Sequence, residues 1–376
     1  LGGAITHPDY NPQKTDEFGD DWVIYPVNGY GDHETIRSVL RTEKPDILWF
    51  MTDPRYFTWL WEIEDEVRPL VPMVYYHVWD NYPYPRYNKE YYESNDVIVA
   101  ISKVTHDIVE TVAPDVESHY VPHAVNEDVF KKLPQNEYED FSKEHGFENK
   151  FTFFWNNRNA RRKQSGSVLW WFKEFLDEVG HDKARLIMHT DPNDVHGQNL
   201  TVMLNELGIT KGEVMLSTQK IPPDILNLMY NSADCTINIS DAEGFGLSTL
   251  ESLAAGTPII VNMTGGLQEQ VTDGEEWFGI GIEPTSKAII GSQEVPYIYE
   301  DRISKEDFIS ALHTMYNMPK EEREKLGEKG AAFVREKYGF EKYQKAWVEI
   351  LESVHEKCGS WENRKGYKTW HIMEIK

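Results

Sequence analysis

The alternation of short apolar runs with helix-length segments is the feature that most constrains the fold of this chain. Several runs are apolar throughout, which is typical of parallel strands covered on both faces. Helix-length segments between them predict α/β units built on parallel sheets. The predicted strands are 22–27, 46–51, 72–77, 96–101, 118–121, 151–155, 184–189, 213–216, 234–239 and 258–261. The predicted helices between them are 33–42, 103–111, 165–178, 200–207, 223–231 and 247–255.

The strands fall into two series, which predicts two Rossmann-like domains. The polar stretch 126–150, which contains Pro134, separates them and is interpreted as a linker. We therefore expect a first domain over 1–125 and a second over 151–340. A C-terminal helix and tail over 341–376 are expected to return to the first domain. Beyond residue 282 the pattern predicts consecutive helices at 304–317, 320–337 and 341–357.

Charge and cysteine content limit the partners and the compartment. The 376 residues include 38 Lys and Arg against 63 Asp and Glu, a net charge of −25, which disfavours nucleic acid as a partner without excluding it. Two cysteines form no disulfide framework and favour a reducing, cytoplasmic location. No apolar run is long enough for a transmembrane segment. A peripheral membrane contact through the Trp- and Tyr-rich first domain stays open.

The segment 241–251 is the strongest motif. A predicted strand leads into a turn with Gly244 and Gly246, and a helix begins near Leu247. A helix N-terminus offers unpaired N–H groups and a positive dipole end that suit a phosphate. Glu243 lies at the ligand end and Glu251 just over a turn inside the helix, where carboxylates can accept hydrogen bonds from sugar or ribose hydroxyls. An isolated pair of this spacing is more often a helix cap and a solvated glutamate.

A basic loop follows the predicted aromatic strand 151–155. Its four cations are Arg158, Arg161, Arg162 and Lys163. Arginine holds phosphate oxygens through a planar fork and lysine through a point charge. Taken alone, such a loop is more often solvated surface.

Further candidates end other strands. His77 closes an apolar strand, where ligand sites form in parallel sheets, and its alternative is a structural histidine. Asp80 and the loop 82–85 are candidates for an acceptor cleft. The segment 189–194 could border a nucleotide base or simply cap a turn.

The stretch 231–271 resembles the donor-site core of GT-B glycosyltransferases, particularly the retaining enzymes of family four. The match consists of Ala233-Asp234, the run E-G-F-G at 243–246, Glu251, the pattern A-x-G-x-P at 254–258, and Gly265-Gly266. The resemblance implies the GT-B fold, in which two Rossmann-like domains with parallel sheets face each other across a cleft.

The resemblance also implies roles for individual residues. Glu243 would contact the donor sugar and Glu251 the nucleotide ribose, while the backbone at 245–247 would receive the diphosphate. The remaining donor-binding positions that it implies are Gly244, Phe245, Gly246, Leu247, Gly265 and Gly266.

Three further assignments follow from the same resemblance. Arg158 and Lys163 correspond to a phosphate-binding pair, with Arg161 or Arg162 as a substitute for Arg158. His77 would lie near the reacting carbon of the sugar. His123 falls in an interdomain segment in which Ala124 and Asn126 replace the usual Gly and Asp. A strand, a Gly-rich loop and a helix are expected ahead of Leu1.

The activity that the resemblance implies is retaining transfer of a sugar from a UDP-, GDP- or ADP-sugar to a hydroxyl acceptor such as a glycan, a lipid-linked sugar or a small molecule. We expect no cofactor and no metal, because the sequence contains no D-x-D motif. The alternatives are a phage-type enzyme acting on hydroxymethylated DNA bases, a nucleotide-sugar epimerase of the same fold, and a noncatalytic nucleotide-sugar-binding protein.

Overall fold

The first half of the chain is built on a four-stranded parallel sheet. The computed structural model describes residues 2–3, 13–14, 22–27 and 29–367. The sheet has the order β5-β6-β7-β8, with every neighbouring pair parallel. Its strands are β5 (Leu48–Thr52), β6 (Met73–His77), β7 (Val97–Ala100) and β8 (Glu117–Tyr120). Four two-residue strands precede it: β1 (Gly2–Gly3), β2 (Gln13–Lys14), β3 (Val23–Ile24) and β4 (Pro26–Val27).

Helices cover this sheet. β6 and β7 are buried at every position, as expected for central parallel strands. The helices of this half are α1 (His33–Glu43), α2 (Thr58–Trp61), α3 (Glu64–Val67), α4 (Lys89–Glu93) and α5 (Lys103–Val112). Helix α6 (Gln135–Glu144) lies within the predicted linker.

The second half is built on a six-stranded parallel sheet of order β11-β10-β9-β12-β13-β14. The strands are β9 (Phe151–Asn156), β10 (Ala184–His189), β11 (Val214–Ser217), β12 (Cys235–Asn238), β13 (Ile259–Asn262) and β14 (Gly279–Ile282). The helices between them are α7 (Ser165–Val179), α8 (Leu200–Leu207), α9 (Pro223–Ser232), α10 (Leu247–Ala254) and α11 (Gln268–Val271).

An antiparallel hairpin and three helices complete the described chain. The hairpin consists of β15 (Ser286–Ile290) and β16 (Ile298–Arg302). It reaches the first half, where the Tyr299 N–H donates to the Tyr82 carbonyl at 2.6 Å and Val295 joins the core of that half. The helices are α12 (Lys305–Asn317), α13 (Lys320–Tyr338) and α14 (Phe340–Cys358). Among the residues described, no helix has both the length and the apolar character to span a bilayer.

The two halves share one hydrophobic cluster. Tyr76 of the first sheet lies 4.9 Å from Trp347 of α14, measured between ring centroids. The chain also passes twice between the halves at one place, because Val125 forms a parallel bridge with Gly339 and its N–H donates to the Tyr338 carbonyl at 3.0 Å. Helix α14 therefore packs against the first half. The domain limits themselves stay a prediction, and residues 368–376 of the predicted tail lie outside the described residues.

The element pattern matches the predicted strands and helices within a few residues, but the short elements β1, β2, α2, α3, α4 and α11 were not predicted. The predicted strand 22–27 is divided into β3 and β4. The sequence pattern did not predict β14, or the hairpin of β15 and β16. These strands are short and partly exposed, so they carry no continuous apolar run.

Candidate active site between the two sheets

A cavity of about 830 Å³ lies where the carboxyl ends of the two parallel sheets face each other. Its walls come from the loops after β5, β6, β9 and β12 and from the hairpin. Ligands bind at this edge of parallel sheets because the loops that follow the strands converge there. The charged lining residues are balanced, with five basic side chains, Arg55, Arg158, Arg161, Arg162 and Lys163, and five acidic ones, Asp53, Asp80, Glu243, Glu251 and Glu300. The cavity lining therefore carries no excess of basic over acidic side chains.

The glycine turn after β12 delivers the start of α10 to the cavity. Gly246 precedes α10 with a φ of +97°, a left-handed conformation that favours glycine. No side chain in the described part of the chain caps this helix, and Leu247 and Ser248 line the cavity. The first N–H groups of α10 are thus available to an anionic ligand.

Glu243 and Lys163 form an ion pair at the base of the cavity. Lys163 Nζ donates to Glu243 Oε2, and Arg162 Nη1 lies 3.9 Å from the same oxygen. Burial opposes ionisation of Glu243, but the charges of Lys163 and Arg162 outweigh it and hold the pKa of Glu243 below its ordinary value. Burial lowers the pKa of Lys163, and the charge of Glu243 acts in the opposite direction. The pair places fixed opposite charges where the donor sugar and its phosphates are expected.

The basic loop is tied to the glycine turn through its backbone. The Asp241 N–H donates to the Arg162 carbonyl at 2.8 Å, and Arg162 Nη1 donates to the Ala242 carbonyl at 2.6 Å. These bonds orient Arg162 and Lys163 toward Glu243. The sequence left open which arginine accompanies Lys163, and the structure brings Arg162 closest to the ion pair.

Arg158 and Arg161 lie on the cavity wall in separate ion pairs. Arg158 Nε donates to Asp194 Oδ2 at 2.6 Å, and the Arg158 side chain is 62% exposed. Arg161 Nη1 donates to Glu300 Oε2 of the hairpin at 2.8 Å. The segment 189–194 thus contributes an acidic partner to the loop. The Arg158 pair is solvent-exposed and such pairs are worth about 0–1 kcal/mol, so a ligand phosphate can replace Asp194. Glu300 is buried, so this reasoning does not extend to the Arg161 pair.

Glu251 lies in the same cavity behind Tyr230. The Tyr230 hydroxyl donates to Glu251 Oε2 at 2.8 Å and accepts a bond from Asn156 Nδ2 at the end of β9. Burial raises the pKa of Glu251 to about 7, although the bond from Tyr230 acts in the opposite direction. The carboxylate is oriented and keeps a second oxygen for a ligand hydroxyl.

His77 does not reach the cavity, which corrects its predicted place beside the reacting carbon. It is fully buried at the end of β6, where its Nδ1 and Nε2 each lie 2.8 Å from a hydroxyl, those of Tyr75 and Tyr92. Burial lowers the pKa of His77 to about 3, so the ring is neutral at physiological pH. The structure favours the alternative that the sequence left open, a structural histidine.

Gly265 and Gly266 support the glycine turn from behind and do not line the cavity. The Gly266 N–H donates to the Glu243 carbonyl at 3.0 Å. A Cβ added at Gly265 would lie 1.9 Å from that carbonyl oxygen, and one at Gly266 would lie 2.6 Å from the Cα of Phe245. Direct donor contact was predicted for both glycines, and their observed contacts are with the turn that carries Glu243.

Phe245 lines the cavity and also packs against the interior of the protein. Its ring is buried and lies 5.2 Å from the His123 ring of the interdomain segment. The His123 Nδ1 in turn lies 3.0 Å from the Tyr76 hydroxyl of the first sheet. The glycine turn is therefore anchored to both halves of the molecule.

Three parts of the site were not predicted from the sequence. Asn157 Nδ2 is buried at the cavity and has no hydrogen-bond partner within the described ranges, so it can donate to a ligand oxygen. Asp53 lies on the first-half wall, and the hairpin contributes 290–292. The only sequence signal for Asn157 is its position directly after the aromatic strand β9. The described residues contain no group of three His, Cys, Asp or Glu side chains arranged to hold a metal ion.

Comparison with known families gives a match in the second half of the chain. Residues 197–332 match the family described as glycosyl transferases group 1. D-inositol 3-phosphate glycosyltransferase from Acidothermus cellulolyticus is 38% identical over 78 residues, which are 21% of this chain and 17% of that protein. Alpha-monoglucosyldiacylglycerol synthase from Streptococcus pneumoniae is 26% identical over 186 residues, which are 47% of this chain and 40% of that protein. The matched segment thus spans less than half the length of either relative.

Solved structures extend the likeness to nearly the whole chain. An Anabaena protein solved in complex with UDP and glucose has a TM-score of 0.68 at 14% identity, covering 87% of this chain and 85% of that one. Sucrose-phosphate synthase from Thermosynechococcus elongatus has a TM-score of 0.67 at 15% identity, covering 86% and 77%.

The fold class is therefore the GT-B fold, as the sequence predicted. The resemblance to glycosyltransferases of family four is confirmed by the match to glycosyl transferases group 1 over 197–332 and by the glycosyltransferase relatives.

Proposed function

We propose that this chain transfers a sugar from a nucleotide-diphosphate donor to a hydroxyl acceptor, with retention at the anomeric carbon and without a metal ion. The observation that carries the proposal is the ion pair of Glu243 and Lys163, with Arg162 beside it, next to the uncapped N-terminus of α10. The matches to glycosyltransferases and to a structure containing UDP and glucose support the choice of donor class.

The proposed donor diphosphate binds across the start of α10 and the basic loop. Negative charge grows on the phosphate oxygen as the bond to the sugar breaks. Lys163, Arg162 and the N–H groups at 247–248 are preorganised to stabilise that charge, which is the largest kind of contribution in many enzymes. Arg158 reaches the same phosphates by exchanging its Asp194 partner for a phosphate oxygen.

The two glutamates have separate roles in this proposal. Glu243 is held ionised by its cationic neighbours, so it accepts hydrogen bonds from the donor sugar and orients it. Glu251, oriented by Tyr230, accepts hydrogen bonds from the ribose hydroxyls of the nucleotide. UDP, GDP and ADP share that ribose, so Glu251 does not choose among the bases.

The acceptor enters along the first-half wall, beside Asp53 and Asp80. Burial raises the pKa of both carboxyl groups, and the charge of Arg162 opposes this at Asp80. The acceptor oxygen forms the new bond to the anomeric carbon from the face that the phosphate leaves. Its proton passes to the departing phosphate oxygen, so no protein nucleophile is required.

We propose a glycan, a lipid-linked sugar or a small hydroxyl compound as the acceptor. Contacts to many phosphates of a polynucleotide need a basic face, and the chain carries a net charge of −25. Labelled donor offered with hydroxymethylated duplex DNA should leave the DNA unlabelled. Efficient transfer to the DNA would instead identify a DNA-modifying enzyme.

The donor proposal is tested by thermal unfolding with a panel of UDP-, GDP- and ADP-sugars. A true donor at 100 times its Kd should stabilise the chain by about 2.7 kcal/mol. Slow hydrolysis of the same nucleotide sugar without an acceptor should then be detected by release of the nucleotide. Binding without any hydrolysis or transfer would indicate a noncatalytic nucleotide-sugar-binding protein, and absence of binding to every member would contradict the proposal.

A further inference from the structure

A second cavity, of about 290 Å³, lies at the place where the chain passes between the halves. It is lined by the start of α5 and by 120–122 from the first half, and by parts of α11, α13 and α14 from the second. None of its lining residues belongs to the larger cavity. Its volume is just below the usual range of ligand pockets, about 300–1,000 Å³, so only a small ligand fits.

Glu269 gives this cavity a buried polar end. Its side chain belongs to a residue that is only 7% exposed, and its Oε2 accepts a hydrogen bond from the Lys103 N–H at 3.1 Å. Its Oε1 is buried and has no partner at normal hydrogen-bond geometry among the described residues, and the Tyr120 hydroxyl is the polar group beside this carboxylate. A buried oxygen without a partner is costly, so a ligand that donates a hydroxyl to it gains binding energy.

Lysines give the cavity a cationic rim. Lys103, Lys337 and Lys342 all line it and are exposed to solvent. Lys337 Nζ pairs with the exposed Glu336 at 2.7 Å, a contact of the kind that a ligand anion readily replaces. Asp273 is the acidic neighbour on the rim, and its Oδ1 accepts bonds from the backbone of residues 275 and 276.

Aromatic rings form the walls between the buried end and the rim. Phe333, Tyr338 and Tyr343 line the cavity, and Tyr120 lies on the first-half side. A pocket of aromatic walls with a few polar groups is the usual form of a small-molecule site, in which the polar groups fix the orientation of the ligand.

We propose that this second cavity binds a small sugar phosphate, with a sugar hydroxyl donated to Glu269 and the phosphate held by Lys337 and Lys342. The buried carboxylate suits a ligand hydroxyl, and the lysine rim suits a ligand phosphate. A sugar phosphate carries these two groups at opposite ends. Binding at this cavity is independent of sugar transfer in the larger cavity, because the two share no lining residue.

The test is calorimetric titration of the full chain with glucose 6-phosphate, glucose and inorganic phosphate. We expect saturable binding of glucose 6-phosphate with a Kd at least tenfold lower than that of either glucose or phosphate, because both ends of the cavity contribute. Equal affinity for inorganic phosphate and glucose 6-phosphate would overturn the proposal, as would no saturable binding of glucose 6-phosphate.

Variants locate the binding. The double variant Lys337→Ala, Lys342→Ala and the single variant Glu269→Gln should each weaken glucose 6-phosphate binding at least tenfold. Lys345 is exposed on α14, the helix of Lys342, and lies outside the cavity lining. Lys345→Ala is therefore the matched control and should bind glucose 6-phosphate as the unchanged chain does. Lys163→Ala should also leave this binding unchanged. Loss of binding in Lys163→Ala, or unchanged binding in the rim and Glu269 variants, would place the ligand elsewhere and refute the inference.

Discussion

Lys163 is the side chain on which the proposed chemistry depends most. Lys163→Ala removes a positive charge from the leaving phosphate, and the analogous loss of one oxyanion donor costs about 2.7–4 kcal/mol. We therefore expect kcat to fall by roughly a hundredfold or more, measured as single-turnover sugar transfer. Arg162→Ala should act in the same direction. Lys173→Ala, at a half-buried position on α7 outside the cavity lining, is the control.

The sequence and the structure lead to different expectations for the turnover of Arg158→Ala. The sequence resemblance predicts a loss for Arg158→Ala as large as that for Lys163→Ala. The exposed pair of Arg158 with Asp194 favours a smaller loss. Near-normal turnover in the Arg158, Arg162 and Lys163 variants together would show that the loop is only a solvated basic surface.

The two glutamates should separate in kinetics and binding. Glu243→Ala should mainly lower kcat, because its contacts to the sugar matter as the bond breaks. Glu251→Ala should mainly raise the Kd for the nucleotide, because ribose contacts persist from ground state to transition state. Equilibrium binding of UDP, GDP and ADP to both variants measures the difference. Unchanged affinity of Glu251→Ala for all three nucleotides would contradict the ribose role.

Glu251 also makes a prediction for the ligand-free chain. Its pKa is about 7 when folded against 4.5 as the reference, so the folded chain holds the proton more tightly. The free energy of unfolding should therefore fall as pH rises from 4.5 to 7, by at most about 3 kcal/mol from this residue. Denaturant titrations at several pH values should show a smaller decline in Glu251→Gln than in the unchanged chain. The exposed variant Glu306→Gln is the control, and an equal decline in both variants would contradict the prediction.

The sequence predicted which residues belong to the site better than it predicted the orientation of their side chains. Glu243, Glu251 and Lys163, which the motifs singled out, all line the cavity, and their roles stay predictions. His77 and Arg158 differ from expectation because direction depends on packing: two tyrosine hydroxyls hold the histidine inside the sheet, and Asp194 draws the arginine outward. A sequence pattern records neither arrangement, since Tyr92 and Asp194 lie 15 and 36 residues from their partners and the bond of His77 to the nearby Tyr75 depends on side-chain orientation.

At the scale of the elements, the turn before α10 is the most constrained. A Cβ at Gly246 would lie 2.6 Å from Leu267 Cδ2 and 2.9 Å from Thr249 Oγ1, in addition to the left-handed backbone. Gly208 has a φ of +70° with open space around it and is the matched control. Gly208→Ala should cost about 1–2 kcal/mol from its backbone alone. Gly246→Ala should cost more and also weaken nucleotide binding, as measured by thermal unfolding with and without UDP.

Element prediction succeeded where burial is complete. The strands β6, β7 and β13 are buried at every position and are mostly apolar in the sequence. The hairpin of β15 and β16 escaped prediction because its burial comes from the first half of the molecule, through residues such as Val295. Its burial depends on that distant surface, which no local pattern contains.

For the whole molecule, the proposed mechanism requires no metal ion. In this mechanism Lys163, Arg162 and the start of α10 stabilise the negative charge of the leaving diphosphate. Transfer should therefore continue at an undiminished rate after treatment with EDTA and dialysis. Complete loss of transfer, restored by Mn²⁺ or Mg²⁺, would contradict the proposal and require metal ligands that the assignment lacks.

The double passage of the chain between the halves has a consequence for how they can separate. The two passes are joined side by side by the bridge between Val125 and Gly339. Two adjacent connections allow the halves to rotate about the axis that joins them and oppose twisting of one half against the other. A protease cut at one point in 126–150 would leave the second pass, and the interfaces beside it, to hold the fragments together. The nicked protein should migrate intact until a denaturant releases two pieces.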